Sequence, residues 1–208
     1  MKILLCLIIG YLIGMISPAA LFSQWKNVNL KKEGTGNLGA SNALMVLGRS
    51  YGVVIMVIDV LKAYLAGKLA LWLFPELTAA GFLAGLGAVA GHVYPFYLQF
   101  QGGKGLACFG GMICLYNPWL LLFYLTGGVL LMILANRSIF LPVFASITFP
   151  VIVLLQTGDW SLFAVAVITA VLIVFAHRKN FGRVKRGEEA PMRELIMTKV
   201  LKIESKME

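Results

Sequence analysis

The chain has 208 residues, of which 60% are hydrophobic and only 13% are charged, and its formal net charge is +9. Soluble globular domains carry about twice that fraction of charged residues. The composition therefore excludes an ordinary soluble domain and predicts a single all-α, polytopic membrane helix bundle over residues 1–208. The basic residues lie between and after apolar segments. This placement favours contact with anionic phospholipid headgroups at a cytoplasmic face and argues against nucleic acid as a partner.

Few side chains are available to hold a metal ion. The chain has two histidines and two aspartates, far apart in sequence, and three cysteines without a CxxC spacing. An odd number of cysteines in or near apolar segments indicates no disulfide framework. We therefore predict neither a metal site nor a cofactor.

Seven apolar segments follow one another along the chain, and each predicts a membrane helix. They cover residues 3–22, 51–74, 78–100, 106–116, 119–135, 139–156 and 161–176. About 20 helical residues suffice to cross the hydrocarbon core. The fourth and fifth segments are short by that measure, so five crossings remain an alternative to seven. Pro18 is expected to bend the far end of the first segment.

The first polar stretch, residues 25–50, has the sequence EGTGNLGASN at its centre, residues 33–42. Its glycines match a GxGxxG spacing, but no strand of a βαβ unit precedes them, which argues against a dinucleotide site. The side chains of Thr35, Asn37 and Asn42 could contact ligand oxygens. An ordinary connecting loop is the alternative.

The second segment carries Asp59, Lys62 and Lys68. Asp59 and Lys62 are three residues apart, so they share a helix face and can pair. Charges at this depth in a membrane indicate a functional site by default. The alternative is an internal ion pair that joins one helix to another.

The third segment carries a stripe of small residues, Gly81, Gly85 and Ala88, that ends in His92. Such stripes allow neighbouring helices to pack closely. We expect His92 to be a buried hydrogen-bonding residue more than a catalytic base.

The sequence Gly102-Gly103-Lys104-Gly105 follows, just before a helix predicted to start at Leu106. Glycines let the backbone turn several N–H groups toward one point. The lysine and the positive end of the helix would add to an anion site of phosphate size. A flexible glycine turn with a lysine reaching the interface is the alternative.

A basic tail begins at about residue 177 with the sequence HRKNFGRVKRGEEA. His177 and Asn180 are three residues apart and could face one ligand, and Arg183 continues the same face if the helix continues. The alternative is a solvated tail that touches lipid headgroups.

The charges of the polar breaks predict the topology. The breaks after the first, third, fifth and seventh segments carry four, one, one and nine Lys or Arg residues, and the other three breaks carry none. By the positive-inside rule the basic breaks are cytoplasmic, with the N-terminus outside and the C-terminus inside. Residues 34–42, 102–105 and 177–189 are therefore expected to meet at one membrane face.

These three segments together resemble the acyl-phosphate:glycerol-3-phosphate acyltransferase family of bacterial membranes, the PlsY type. The matching stretches are GTGNLGASN (34–42), GHVYPFYLQFQGGKGLAC (91–108) and HRKNFGRVKRGEE (177–189). The resemblance implies seven spans in the bacterial cytoplasmic membrane and an active site on its cytoplasmic face. It also implies the reaction, in which an acyl group moves from acyl phosphate to the 1-position of glycerol 3-phosphate. The products are lysophosphatidic acid and phosphate.

The resemblance also implies roles for individual residues. The expected catalytic residues are Thr35, Lys104, His177 and Asn180. The expected substrate-binding residues are Lys31, Gly36, Asn37, Asn42, His92, Gly102, Gly103, Gly105, Arg183 and Glu189. Thr35, the Gly102–Gly105 amides and Lys104 would hold one phosphate, while His177, Asn180 and Arg183 would orient glycerol 3-phosphate. The implied partners are the two substrates, membrane phospholipids and the soluble enzyme that makes acyl phosphate.

The chain departs from the family pattern at several positions. Thr35 stands where a serine is usual, Lys31 and Met45 stand where arginines are usual, and Cys108 replaces a threonine. Serines expected after the fifth segment align with Phe140 and Val143. Because Met45 removes a phosphate-binding cation, a catalytically impaired relative that binds lipid phosphates or a partner is an alternative. A small anion transporter is another, suggested by Asp59 and Lys62.

Overall fold

A computed structural model of the protein describes residues 1–189, 191–195 and 198, and within them the regular secondary structure is entirely helical. The end of the predicted basic tail, from residue 199 on, lies outside the described residues. The helices in chain order are α1 (Lys2–Gly14), α2 (Pro18–Trp25), α3 (Ala40–Val46), α4 (Arg49–Leu73), α5 (Ala80–Val93), a short 3₁₀ helix (Phe96–Leu98), α6 (Leu106–Tyr116), α7 (Pro118–Ala135), α8 (Phe140–Thr157), α9 (Trp160–Ala176), α10 (Arg178–Lys185) and α11 (Met192–Leu195). Each predicted apolar segment forms a helix, which confirms the all-helical class.

The first apolar segment is divided into α1 and α2, where the sequence predicted only a bend. Pro18 is the first residue of α2, and the Ser17 side chain accepts a hydrogen bond from the N–H of Ala20 at 3.2 Å. Proline fits this position because its missing N–H would have no helical partner there anyway. Pro18 therefore starts a helix instead of bending one. The break leaves the carbonyl of Ile16 available to Lys62, whose Nζ donates to it at 2.6 Å.

Helix α5 is buried along nearly its whole length and is the centre of the bundle. Gly10 and Gly14 of α1 lie directly against the backbone of α5, so that a Cβ at either position would overlap the carbonyl oxygen of Ala84 or Ala88. The other face of α5 contacts α6, where a Cβ on Gly85 would lie 2.9 Å from Cγ of Met112. The predicted small-residue stripe is thus confirmed, since its members allow this close approach.

Aromatic rings join α5, α6 and α8 around Phe149. The ring of Phe149 lies 5.9 Å from Phe82, 5.5 Å from Phe109 and 5.9 Å from Tyr116, centroid to centroid. Such pairs contribute about 0.5–1.5 kcal/mol each beyond the area they bury. Small residues and aromatic rings thus join α5 to α1, α6 and α8.

Apolar side chains also cover the outside of the bundle, as in a protein surrounded by lipid. Among the described residues, four helical stretches are long and apolar enough to cross a membrane: Lys2–Trp25, Ala80–Leu98, Pro118–Ala135 and Phe140–Thr157. Helices α9 and α10 add a fifth if the pair, bent by 48°, is counted as one span. The short helix α6 is apolar as well. The count of seven crossings and the orientation of the termini stay predictions.

Candidate active site

The loop before α3 folds around the side chain of Asn42, which is fully buried. Asn42 Oδ1 accepts a hydrogen bond from the N–H of Thr35 at 2.7 Å, and Nδ2 donates to the carbonyls of Leu30 and Glu33 at 2.9 and 3.1 Å. Gly34 has a φ of +58° and lies so close that a Cβ would overlap Asn42 Oδ1. Both amide hydrogens of Asn42 are used within the loop. Asn42 therefore supports the loop through its own hydrogen bonds, and a contact between Asn42 and substrate stays a prediction.

The other predicted residues of this loop differ in exposure. The Thr35 side chain is exposed, and Gly36, with a φ of +69°, is exposed beside it. Asn37 is half-buried against Gly39. Lys31 has its Nζ 3.4 Å from the carbonyl oxygen of Leu98, at the edge of a cavity of about 460 Å³ next to α2.

The glycine-rich segment is attached to the end of α5 by its own backbone. The N–H groups of Gly102 and Gly103 donate to the carbonyls of Val93 and His92 at 3.0 and 3.1 Å. These two amides are therefore not available to an anion, and the expectation that all four amides of residues 102–105 form a nest is wrong. The reason is that the last turn of α5 leaves carbonyls without helical partners.

The beginning of α6 supplies the amides that the segment itself lacks. Gly105 has a φ of +80° and caps the helix, and the first helical bond runs from the N–H of Phe109 to the carbonyl of Gly105 at 2.8 Å. The N–H groups of the first turn, residues 106–108, precede that bond and have no carbonyl within the helix. They carry the positive end of the helix dipole next to Lys104.

Gly103 brings the first and second segments into contact. A Cβ on Gly103 would lie 2.7 Å from the carbonyl oxygen of Leu38 and would overlap Nε2 of His92. Only glycine allows this approach. The loop of residues 34–39 and the segment 102–105 therefore touch one another, as the sequence predicts.

Lys104 brings the second and third segments together. Its ammonium group is partly buried. Burial and the nearby Arg183 guanidinium lower the pKa of Lys104 from its ordinary value of 10.5 to about 8, while the Glu189 carboxylate acts in the opposite direction. The positive charges of two segments thus act on one another, which is an arrangement that favours a bound anion.

His177 and Asn180 lie at the bend between α9 and α10, and both are buried, at 5% and 6% exposure. His177 Nδ1 is 2.8 Å from the carbonyl oxygen of Ile173. Because a carbonyl only accepts, Nδ1 carries the proton and Nε2 is left as an acceptor. Asn180 Oδ1 accepts a hydrogen bond from Arg183 Nη2 at 3.2 Å, so these two residues share a face as predicted.

Ser138, in the break between α7 and α8, is a member of this group that the sequence reasoning missed. It accepts a hydrogen bond from Asn180 Nδ2 at 3.5 Å, and its hydroxyl donates to Glu189 Oε1. Arg137 Nη1 lies 3.4 Å from the carbonyl oxygen of Glu189. The other carboxylate oxygen, Glu189 Oε2, is buried and has no hydrogen-bond partner in the described part of the chain. The polar run of residues 136–138 was the available signal.

Asp59, Lys62 and His92 form a second, fully buried group, here named the charge cluster. Lys62 Nζ lies 2.7 Å from Asp59 Oδ1 and 3.0 Å from His92 Nδ1, and His92 Nδ1 lies 3.3 Å from Asp59 Oδ1. The predicted ion pair is confirmed. Donor atoms of Asp59, His92 and Cys108 lie within 4.8 Å of one another, a spacing that could suit a metal ion. The Lys62 ammonium already lies against two of these donors, so the donor set fits a cation poorly.

An apolar groove runs between α8 and α9 toward this end of the bundle. Its volume is about 610 Å³, and Pro150, Phe163, Val171 and Phe175 are among the residues that line it. Arg178, the first residue of α10, lies at its edge with the guanidinium carbon 4.3 Å from the centre of the Phe175 ring.

The fold and the site together define a helix bundle with an apolar outer surface and a group of cationic and neutral polar side chains at one end. A family model for glycerol-3-phosphate acyltransferase matches residues 4–187 of the chain. The glycerol-3-phosphate acyltransferase of Lactiplantibacillus plantarum is 33% identical over 194 residues, which cover 91% of this chain and 92% of that one. The enzyme of the same name from a Thermoanaerobacter species is 33% identical over 193 residues, or 92% and 96% of the two chains. The chain therefore belongs to the glycerol-3-phosphate acyltransferase family.

Solved structures agree with this assignment. The crystal structure of PlsY, an integral membrane glycerol 3-phosphate acyltransferase, in its glycerol 3-phosphate form matches with a TM-score of 0.84 and 28% identity, over 92% of this chain and 96% of that one. Its lysophosphatidic acid form matches with a TM-score of 0.82 and 27% identity, over 92% and 95%.

Proposed function

We propose that this chain is an integral membrane acyltransferase that transfers an acyl group from acyl phosphate to the 1-hydroxyl of glycerol 3-phosphate. The observation that carries the proposal is the grouping of Lys104 and Arg183, from two distant segments, beside the buried His177 and Asn180. Two cations suit a phosphate dianion, and neutral hydrogen-bonding groups beside them suit hydroxyls. Family membership supports the acceptor, and the amphiphilic surroundings suit a donor with a long acyl chain.

The proposed chemistry needs little from the protein beyond binding and orientation. Acyl phosphate is a mixed anhydride, so its carbonyl carbon is already activated. The 1-hydroxyl oxygen attacks that carbon, the bond from carbon to the phosphate oxygen breaks, and the leaving phosphate takes the hydroxyl proton. Lys104 and the amides at the start of α6 stabilise the negative charge that develops on the phosphate and the carbonyl oxygen.

The acceptor is oriented by the third segment in this proposal. Arg183 and Lys104 together bind the phosphate of glycerol 3-phosphate, and Asn180 is held in place by Arg183 and Ser138. His177 Nε2 is free to accept a hydrogen bond from a substrate hydroxyl, because Nδ1 is occupied by Ile173. Thr35 offers its exposed hydroxyl from the first loop. Holding both reactants in place in this way supplies most of the rate enhancement that such a reaction requires.

The groove between α8 and α9 is the proposed site of the acyl chain. Its lining is mostly apolar and includes Arg178, one residue after His177. An acyl chain lying there would bring its carbonyl end to the bend between α9 and α10. We further propose that residues 1–208 form one domain with seven crossings of the bacterial cytoplasmic membrane. The distribution of Lys and Arg supports an external N-terminus, a cytoplasmic active site and a cytoplasmic tail from about residue 177. The soluble enzyme that makes acyl phosphate would have access to the active site from the cytoplasm.

Among the described residues, no contact supports either alternative function. A transporter was suggested by the intramembrane charges, but Asp59 and Lys62 are 1% and 6% exposed and paired with each other. An impaired relative was suggested by Met45, which is partly buried in α3. Lys104 and Arg183 supply two cations near His177 and Asn180, so the loss of one more does not leave the site without positive charge.

The test is an acyl-transfer assay on purified protein with glycerol 3-phosphate and either acyl phosphate or acyl-CoA as the donor. We expect transfer from acyl phosphate, at least about tenfold slower in Lys104→Met and in Arg183→Met, which is about 1.4 kcal/mol of lost transition-state stabilisation. Lys179→Met, an exposed lysine on the same helix as Arg183, is the matched control and retains activity. Failure to acylate glycerol 3-phosphate with either donor would refute the proposal.

A further inference from the structure

The charge cluster connects four parts of the fold that are distant in sequence. Lys62 donates to the carbonyl of Ile16, between α1 and α2, at 2.6 Å, and it also contacts Asp59 on its own helix and His92 on α5. The fourth part is the glycine-rich segment, because Gly103 lies directly against the His92 ring. A single buried ammonium group thus fixes the ring on which the next segment rests.

His92 holds Gly103 from two sides. Its carbonyl accepts the N–H of Gly103 at 3.1 Å, and its ring edge lies where a Cβ of Gly103 would be, 2.9 Å from Cδ2. The next residue is Lys104, followed by the cap of α6. Any rotation of the His92 ring would therefore displace the backbone that aims Lys104 and the first amides of α6.

Stability alone does not account for this cluster. Removing two charges from water costs several kcal/mol per ion, and replacing a buried pair by apolar residues of similar size is often neutral or stabilising. Helices α1, α4, α5 and α6 pack through glycines and alanines, and none of those contacts needs a charge. A charged group in such a place indicates a requirement other than packing.

We propose that Asp59 and Lys62 are positioning residues for the anion site: they fix the His92 ring, which fixes the backbone at Gly103 and thereby the direction of Lys104. This inference rests on the proposed function, since it gives the cluster the task of orienting the group that binds phosphate. Asp59 and Lys62 do not themselves touch substrate. The cluster acts on affinity for the phosphorylated substrates, through the shape of the segment 102–105.

The test is the double variant Asp59→Leu/Lys62→Met, in which no unpaired buried charge remains. We expect it to fold with a thermal midpoint close to that of the parent protein, because the cost of burying the ions is gone together with their attraction. We expect KM for glycerol 3-phosphate to rise at least about tenfold, with a smaller change in kcat, because binding of the phosphate is what depends on Lys104. Stabilisation of the protein by inorganic phosphate, measured as the shift of the thermal midpoint, should fall in parallel.

Lys68→Met is the matched control, since Lys68 lies on the same helix but is exposed. A double variant with KM and kcat within about threefold of the parent would overturn the proposal, because the segment would then keep its shape without the cluster. If the double variant does not fold, His92→Gln decides in the same way: a raised KM in a folded protein supports the proposal, and an unchanged KM overturns it. Failure of the proposed function would instead appear as a parent protein that does not acylate glycerol 3-phosphate at all.

Discussion

Replacing Gly103 by alanine tests how closely the glycine-rich segment must approach its neighbours. The new Cβ would lie 2.7 Å from the carbonyl oxygen of Leu38 and 2.9 Å from Cδ2 of His92, and it would overlap Nε2 of the same ring. Ordinary contacts begin at 3.4 Å, so the backbone must retreat by at least the difference of 0.7 Å from Leu38 and further from the ring. The ring cannot yield, because Asp59 and Lys62 hold it. A displacement of about 1 Å at a reacting group costs on the order of 100-fold in rate.

We therefore expect kcat/KM of Gly103→Ala to fall about 100-fold, equivalent to about 2.7 kcal/mol, in an acyl-transfer assay with acyl phosphate and glycerol 3-phosphate. The protein should still fold, as judged by size-exclusion chromatography and thermal unfolding in detergent. The control is Gly127→Ala on α7, where the nearest atom to an added Cβ is 3.9 Å away. An activity of Gly103→Ala within about threefold of the parent would refute the close packing of this segment.

Two further predictions follow from the contacts of the site. Lys104 has a pKa lowered to about 8, so it is charged below that pH and neutral above it. KM for glycerol 3-phosphate should therefore rise as the pH increases through about 8. In Lys104→Met, KM should no longer depend on pH in this range. A KM of the parent protein that stays flat between pH 7 and about 9 would contradict the role of Lys104 in binding phosphate. Asn42→Ala leaves one N–H and two carbonyls of the first loop without their partner, which costs about 1–3 kcal/mol for each group that water does not reach. We expect a lower thermal midpoint and weaker activity for Asn42→Ala. The control is Asn29→Ala, because the Asn29 side chain makes a single exposed hydrogen bond, to the N–H of Lys31. An Asn42→Ala protein as stable as the control would contradict its supporting role.

Apolar runs and local spacing predicted the part of the fold that depends on nearest neighbours in sequence. Asp59 and Lys62 pair because residues three apart share a helix face, and Asn180 meets Arg183 for the same reason. The contact between the first loop and Gly103 was predicted from the distribution of charge, since polar breaks that carry Lys or Arg lie on the same side of a membrane. These are regularities that a single sequence carries.

The parts that the sequence did not predict depend on partners that are distant in the chain. Nothing local indicates that the amides of Gly102 and Gly103 are used by carbonyls at the end of α5. The hydrogen bonds of Asn42 close a loop whose path the sequence does not indicate. Helix α3, which lies within the polar stretch of residues 25–50, was not predicted. Ser138 was passed over because its role depends on contacts with Asn180 and Glu189, more than 40 residues further along.

The measurement that tests the central claim most directly is a double-mutant cycle on the affinity for glycerol 3-phosphate in the absence of an acyl donor. Binding is measured by calorimetry for the parent, Lys104→Met, Arg183→Met and the double variant, with Lys179→Met as the control. If residues from two distant segments hold one site, the effects on binding free energy are not additive, and the coupling is about 0.5–3 kcal/mol. Strictly additive losses, or unchanged binding in either single variant, would contradict the account.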